Sequence, residues 1–299
     1  MKALITGGRG FVGTHLTAHL LACADEVVVV DAECDVTRAD QIGRALAAAQ
    51  PEAIYHLAAR SSVAESFQDP AAFSLVNAVG TATVLSQAAA HVPGARVLVV
   101  SSADVYGPAR EDEGPVLESR PAHPVSPYAQ SKLEAEGFAR RAAHQGQGVL
   151  IARPFPHLGP GQSTRFVVPA LAERLLKARA SGASSIAVGD LSVRRDYSDV
   201  RDVVRAYRLL IEHGAPGEVY NIASSHDVAL SDIAHQLAEL VGVSVSWHVE
   251  ASLLRPAEVA VLRGSAEKLH AATGWEPHFV LSESLIDVIR DIEARTDAS

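Results

Sequence analysis

Tyr128 and Lys132 stand four residues apart in SPYAQSK (126–132). On a helix these positions share one face. An ammonium beside a phenol favours the phenolate and lowers a pKa that starts at about 10. A bound nicotinamide adds positive charge when oxidised. The tyrosine can then protonate a carbonyl oxygen as hydride arrives, or take the proton of an alcohol in reverse. Taken alone, such a pair is common and is far more often a solvated helix face. Ser101, Ser102 and Asp104 lie in VLVVSSADVYG (97–107), where a strand-like run gives out. A serine hydroxyl at such an edge can share a substrate oxygen with Tyr128.

These groups need a scaffold that brings strand ends together. KALIT (2–6), EVVVV (26–30), EAIYH (52–56), RVLVV (96–100) and VLIAR (149–153) read as buried parallel strands. Helical patterns at 10–21, about 40–49, about 70–91 and about 127–144 alternate with them. The expected fold is α/β: a Rossmann-type doubly wound parallel sheet, with ligands at the carboxyl ends of the strands. Residues 1–154 form mainly a dinucleotide-binding domain. Residues 155–299 form mainly a smaller α/β substrate-binding region that returns some segments to the sheet. Its expected strands are 185–188, 193–197, 218–222 and 244–248, with helices near 165–180, 199–211 and 231–241.

ITGGRGFVGTHL (5–16) follows the first strand and opens a helix. Gly7, Gly10 and Gly13 are spaced three apart, and Gly8, Gly10 and Gly13 also fit G-x-G-x-x-G. The pattern suits a tight turn, close backbone approach to a pyrophosphate, and close helix–strand packing. The pyrophosphate would sit at the positive end of the helix. Asp31 ends the second strand, where a carboxylate accepts from a ribose 2′-OH and favours NAD. Arg9 in the glycine turn pairs instead with a 2′-phosphate and favours NADP. Asp35 is a candidate for the adenine amine or a helix N-cap.

Composition narrows the rest. With 48% hydrophobic residues the chain of 299 can bury a large core. A net charge of −9, with scattered cations, argues against nucleic acid or an anionic membrane as partner. No run approaches the ~18 consecutive apolar residues of a membrane span. The N-terminus enters a strand directly, leaving no room for a signal sequence, so a cytoplasmic location is expected. Cys23 and Cys34 have no disulfide or metal-ligand spacing and read as buried or inert thiols. No metal is expected.

In order along the chain, TGGRGFVG, HLAA (56–59), SSVAESFQDP (61–70), Asn77 in NAVGT, SSADVYG, SPYAQSK, RPFPHLGPGQ (153–162), RRDYSDVRDVV (194–204), GEVYNIAS (217–224) and LLRPAE (253–258) resemble the extended short-chain dehydrogenase/reductases. These are the nucleotide-sugar epimerases, dehydratases and reductases. The resemblance implies a catalytic Ser102–Tyr128–Lys132 set and a nicotinamide cofactor, NAD(H) or NADP(H), with a lean to NADP(H). It implies cofactor contacts from Gly7, Arg9, Gly10, Phe11, Val12, Gly13, Asp31, Asp35, Val36, Leu57, Ala58, Ala59, Asn77, Ser101, Tyr128 and Lys132. It also implies a homodimer, a four-helix bundle built from the helices at 70–91 and 127–144.

RPF-x-H-x-GPGQ, VGDL (188–191), RRDYSDVRDVVRAY (194–207) and ATGWEP (272–277) are most similar to the GDP-4-dehydro-6-deoxymannose reductase branch and related ketoreductases of dTDP sugars. The implied substrate is a nucleotide-diphosphate 4-keto-6-deoxyhexose. A 4-epimerase with tightly held NAD, and a 4,6-dehydratase using Asp104 as second acid or base, are the alternatives, and a non-catalytic dinucleotide sensor is a third. Asp104 is shorter than the usual glutamate and serves equally as a structural N-cap. Arg195 and Arg255 match diphosphate-binding arginines. The competing roles are ion pairs with Asp196 or Asp199 for Arg195, and with Glu258 for Arg255. Ser62 is placed near sugar hydroxyls, and His157 faces the sugar or packs internally. Pro156 stands where the family usually has asparagine, so the substrate is held differently there.

Overall fold

The computed structural model describes residues 1–109, 113–254 and 261–297. Six parallel strands form its central sheet: β1 (Lys2–Thr6), β2 (Glu26–Val30), β3 (Ala53–His56), β4 (Arg96–Val100), β5 (Gly148–Pro154) and, much later, β10 (Val219–Ile222). They lie in the order β2-β1-β3-β4-β5-β10. The chain reverses direction across the sheet between β1 and β3, and this switch point opens the crevice where such folds bind ligands.

Alternate residues of each strand point to opposite faces, and both faces are covered. Ile5, Tyr55, Leu98 and Leu150 pack with Leu16 and Leu20 of α1 (Phe11–Ala22) and with Val203, Tyr207 and Leu210 of α8 (Val200–His213). Leu4, Ile54, Val97 and Ile151 face Ile42 and Leu46 of α2 (Ala39–Ala49), Val84 and Leu85 of α5 (Gly80–His91) and Ala139 of α6 (Pro127–His144). Each such buried aliphatic side chain contributes roughly 1.5–3 kcal/mol of hydrophobic stabilisation.

The second half builds a cap with its own core. Leu171 and Leu175 of α7 (Val167–Ser181), Ile233 and Leu237 of α9 (Leu230–Val241) and Leu285 and Val288 of α11 (Leu281–Asp297) are buried together. The strand pairs here are short: β6 (His157–Leu158) with β9 (Ser198–Asp199), and β7 (Ser185–Val188) with β12 (Ser246–Val249). β8 (Arg194–Asp196) runs between β11 (Asp227–Ala229) and β13 (Val261–Leu262). α8, β10 and α10 (Glu267–Thr273) return to the main sheet, with Trp275 buried beside them. α10 and α11 were not among the expected helices, although Leu285, Val288, Ile289 and Ile292 of α11 repeat at helical spacing.

The helix expected over 70–91 is continuous but not uniform. α4 (Pro70–Phe73) passes into a π-helical segment, Ser74–Val79, before α5. Counted as a whole, Pro70–His91 is long and apolar enough to cross a membrane by composition, yet 44% of its most apolar stretch is buried inside the protein. It is a core helix, with Leu75 and Val79 left exposed. Cys23 corrects the expectation of burial: it is exposed at the end of α1, while Cys34 is half-buried and its thiol pKa is raised by that burial.

Candidate active site

The glycine turn decides between the two overlapping patterns. Gly7 has φ +70°, and a Cβ there would lie 2.8 Å from the Ala58 backbone. At Gly13 a Cβ would come within 2.3 Å of the Gly7 carbonyl oxygen. Gly10 precedes α1 in extended conformation, and no side chain caps the first turn of the helix. Open backbone N–H groups and a floor without side chains are what a pyrophosphate requires. Gly8 serves packing instead, against Val29. Phe11 and Val12 begin α1 and pack against the core beneath.

Around this turn the charged groups are already engaged. Asp31 Oδ2 accepts from the Arg9 backbone N–H at 2.8 Å, while the Arg9 guanidinium reaches Glu33 at 2.7 Å. Asp35 forms an Asx turn with Thr37 (2.9 and 2.8 Å) rather than capping α2, whose N-cap position is Arg38. Val36 is buried against Gly80 of α5.

Across the switch point, Leu57, Ala58 and Ala59 leave β3 beside β1. Leu57 N–H donates to the Thr6 carbonyl (3.1 Å), and Ala58 N–H donates to Thr6 Oγ1 (3.3 Å). Thr6 Oγ1 in turn meets His56 Nδ1 at 2.8 Å, and His56 Nε2 meets Thr81 Oγ1 at 3.0 Å. Thr81 donates to the Asn77 carbonyl (2.6 Å), so Nε2 carries the imidazole proton and Nδ1 accepts. Burial drives the His56 pKa down to about 3, holding the ring neutral. Asn77, in the π segment, accepts from Arg60 N–H (2.8 Å) and donates to the Arg60 carbonyl (3.0 Å) and Ser131 Oγ (2.9 Å). It therefore ties the loop after β3 to α6.

SPYAQSK forms the start of α6. Ser126 is its N-cap, accepting from Ala129 N–H at 3.1 Å, and Pro127 occupies the first turn. Tyr128, Ser131 and Lys132 are thereby buried, with Tyr128 edge-on to Phe73. The phenol of Tyr128 is buried in the neighbourhood of the Ser102 hydroxyl and the Asp104 carboxylate, both of which act on its proton affinity. Ser102, not Asp104, caps the short 3-10 turn Ala103–Tyr106; its hydroxyl also meets the Asp104 carboxylate at 3.2 Å.

Lys132 Nζ donates to the Val100 carbonyl at 2.9 Å. The expected lowering of the Tyr128 pKa is therefore not met: burial first and Asp104 second raise it, and the nearby Ser102 hydroxyl offsets only part. The ammonium is turned onto a backbone carbonyl instead of the phenol. Lys132 itself is brought down to about 8, chiefly by burial.

The expected substrate side is less concentrated. Ser62 caps α3 (Val63–Ser66), accepting from Glu65 N–H at 3.2 Å. His157 donates Nδ1–H to the Phe155 carbonyl (2.9 Å), and its ring stacks on Phe11, which places it over the glycine turn. Pro156 passes its carbonyl to Ser198 N–H at 2.9 Å. Arg195 lies on β8, where its guanidinium donates to the Arg194 carbonyl (2.8 Å). Asp199 is bound by Arg201 and Ser284. Asp196 is buried among Ser224, Ser225 and Gly264, and burial raises its carboxyl to about 6. Arg255 lies outside the described residues.

With this geometry in place, comparison is informative. A model of the NAD dependent epimerase/dehydratase family matches residues 3–223. The chain belongs to that family. It is 36% identical to the GDP-6-deoxy-D-mannose reductase of Pseudomonas aeruginosa over 298 residues, 98% of each chain. The structure of RMD from Pseudomonas aeruginosa complexed with NADPH superposes with a TM-score of 0.91, covering 99% of this chain and 100% of that one. A UDP-glucose 4-epimerase of Mycolicibacterium smegmatis is 30% identical, over 97% of both.

For this epimerase/dehydratase family member the sequence motifs missed one buried group on α6 itself. Glu136, one turn after Lys132, is fully buried and receives both Arg153 Nε (2.7 Å) and Arg153 Nη2 (2.6 Å). Ser101 Oγ donates to it at 2.6 Å. The i+4 spacing from Lys132 was the available signal.

Proposed function

We propose that this protein reduces the C4 ketone of a nucleotide-linked 4-dehydro-6-deoxyhexose, a GDP or dTDP sugar, with NADPH. The observation that carries the proposal is the 36% identity over 98% of both chains to a GDP-6-deoxy-D-mannose reductase. NADPH in the matching structure of RMD supports the cofactor. Tyr128 adds a chemical reason. Tyr128 is a buried phenol at the start of α6, close to the strand end that carries Ser102, and at neutral pH it holds the proton that a ketone oxygen would need.

In this reading Tyr128 donates the proton and Ser102 hydrogen-bonds the same substrate oxygen. Lys132 keeps two of its three donors for the cofactor ribose after serving Val100. The nicotinamide, when bound, supplies the hydride. The pyrophosphate rests on the Gly7–Gly13 turn, and Arg195 and Arg255 hold the sugar-nucleotide diphosphate. Residues 1–154 bind the dinucleotide, while 155–299 serve the substrate. The exposed Leu75 and Val79 support pairing of two copies through the helices at 70–91 and 127–144. Nucleotide substrates and cofactors fit a cytoplasmic enzyme.

The test is direct. Purified protein given GDP-, dTDP-, UDP- or CDP-4-keto-6-deoxyhexose is expected to consume NADPH in step with one of them. Absence of NADPH and NADH oxidation with all four overturns the reading. Protein that keeps NAD through purification and interconverts C4 epimers is an epimerase instead.

A further inference from the structure

We infer that Glu136 is a positioning residue of the active site, whose buried carboxylate, one helical turn from Lys132, holds the strand end that carries Ser102 and supplies the negative charge on the buried helix face of the lysine. The inference rests on the Ser102–Tyr128–Lys132 reading of the site but not on any particular sugar substrate.

The geometry comes first. Glu136 stands one helical turn beyond Lys132 on α6, and it is buried together with Lys132. Its Oε1 accepts from Ser101 Oγ at 2.6 Å and Arg153 Nε at 2.7 Å; Oε2 accepts from Arg153 Nη2 at 2.6 Å and Arg140 at 3.3 Å. Ser101 immediately precedes Ser102, and the Lys132 ammonium is bonded to the carbonyl of Val100 just before it. One carboxylate therefore ties α6, which carries the lysine, to the strand end that carries the serine.

The charges around Lys132 favour the same role. From β3 it faces His56, which is neutral; from the end of β4 it meets the Val100 carbonyl; from the π segment Asn77 reaches the same helix face through Ser131. Along α6 its neighbours are Tyr128, itself influenced by Asp104, and Glu136. Burial pushes Lys132 toward the neutral amine, and Glu136 opposes it. A neutral lysine would lose the charge with which it stabilises a developing phenolate.

The chain contains four lysines: Lys2, Lys132, Lys177 and Lys268. Protein labelled with 13C at lysine Cε thus gives four NMR signals, and loss of one in Lys132→Met assigns it. In the wild-type chain this signal is expected to titrate well before the others. In Glu136→Gln its midpoint is expected to fall by about one pH unit or more, as loss of a neighbouring opposite charge requires. Glu136→Asp should restore part of the shift. Glu136→Gln leaves Arg153 buried without its partner and risks unfolding, so Glu136→Gln/Arg153→Gln is the companion, removing both charges together. A purely structural ion pair predicts that the double variant titrates at Lys132 like the wild type. That result, or an unshifted midpoint in folded Glu136→Gln, overturns the inference. Because no sugar is present, the lysine titration stands or falls separately from the reductase assignment.

Discussion

At the scale of single residues, Tyr128, Lys132 and Arg9 carry the sharpest consequences. Tyr128→Phe removes the phenol proposed as proton donor and leaves the packing against Phe73, so turnover should drop about 10²–10⁴-fold. NADPH affinity, followed by fluorescence titration, should stay near wild type. Equal turnover in that variant would refute the assignment. Lys132 sets a pH dependence whose sign can be worked out. Its folded pKa of about 8 lies below the ordinary value of 10.5. Reduction should therefore slow as pH rises through about 8, where the ammonium is lost. Stability moves the other way: between pH 8 and 10.5 the unfolded chain holds a proton that the folded chain has released, so this group adds stability as pH rises. Rate and unfolding free energy, measured over the same pH series, check both signs. Arg9 is tied to Glu33 at the surface, where solvent and salt weaken the pair. Arg9→Ala should then weaken NADPH binding several-fold more than NADH binding, and comparable losses for both would remove Arg9 from 2′-phosphate recognition.

Among the elements, the π segment Ser74–Val79 has the clearest mechanical role. A π turn is rare and tends to mark functional sites. Here Asn77 bonds Arg60 and Ser131, joining the loop after β3 to α6. Asn77→Leu strands the Arg60 backbone groups in a partly buried place. A loss of about 2 kcal/mol or more is expected from denaturant unfolding, with the loop after β3 loosened. A change within a few tenths of a kcal/mol would show that water replaces the amide at no cost. The helical period at 70–91 was legible because Pro70 and the alanines announce a packed helix. The π turn was not: Asn77 within it bonds partners 17 and 54 residues away, Arg60 and Ser131, which no local pattern announces.

For the whole molecule, the question is assembly. Helix Pro70–His91 covers the sheet with one side and leaves Leu75 and Val79 exposed, at 51% and 43%. A second copy of the same helix pair would bury them in a two-fold bundle. Light scattering of the purified protein should give a dimer, and Leu75→Glu/Val79→Glu should give monomers that still fold. A wild-type monomer would discard the bundle.

Local patterning by itself determined the alternation of strands and helices in the first half, the glycine turn and the start of α6. Each depends on residues close in sequence: apolar runs, a Gly spacing of three, and a Ser-Pro cap. The tertiary structure alone decided what is set by approach from afar. It selected Gly7 over Gly8 through contact with Ala58, turned Lys132 onto Val100, raised rather than lowered the Tyr128 pKa, and buried Glu136 between Ser101 and Arg153. It also placed α10, seven residues too short for a clear period, against the main sheet. The reason is physical: a motif specifies which groups are available, while desolvation and hydrogen-bond partners, contributed by distant strands, set the charge each group carries.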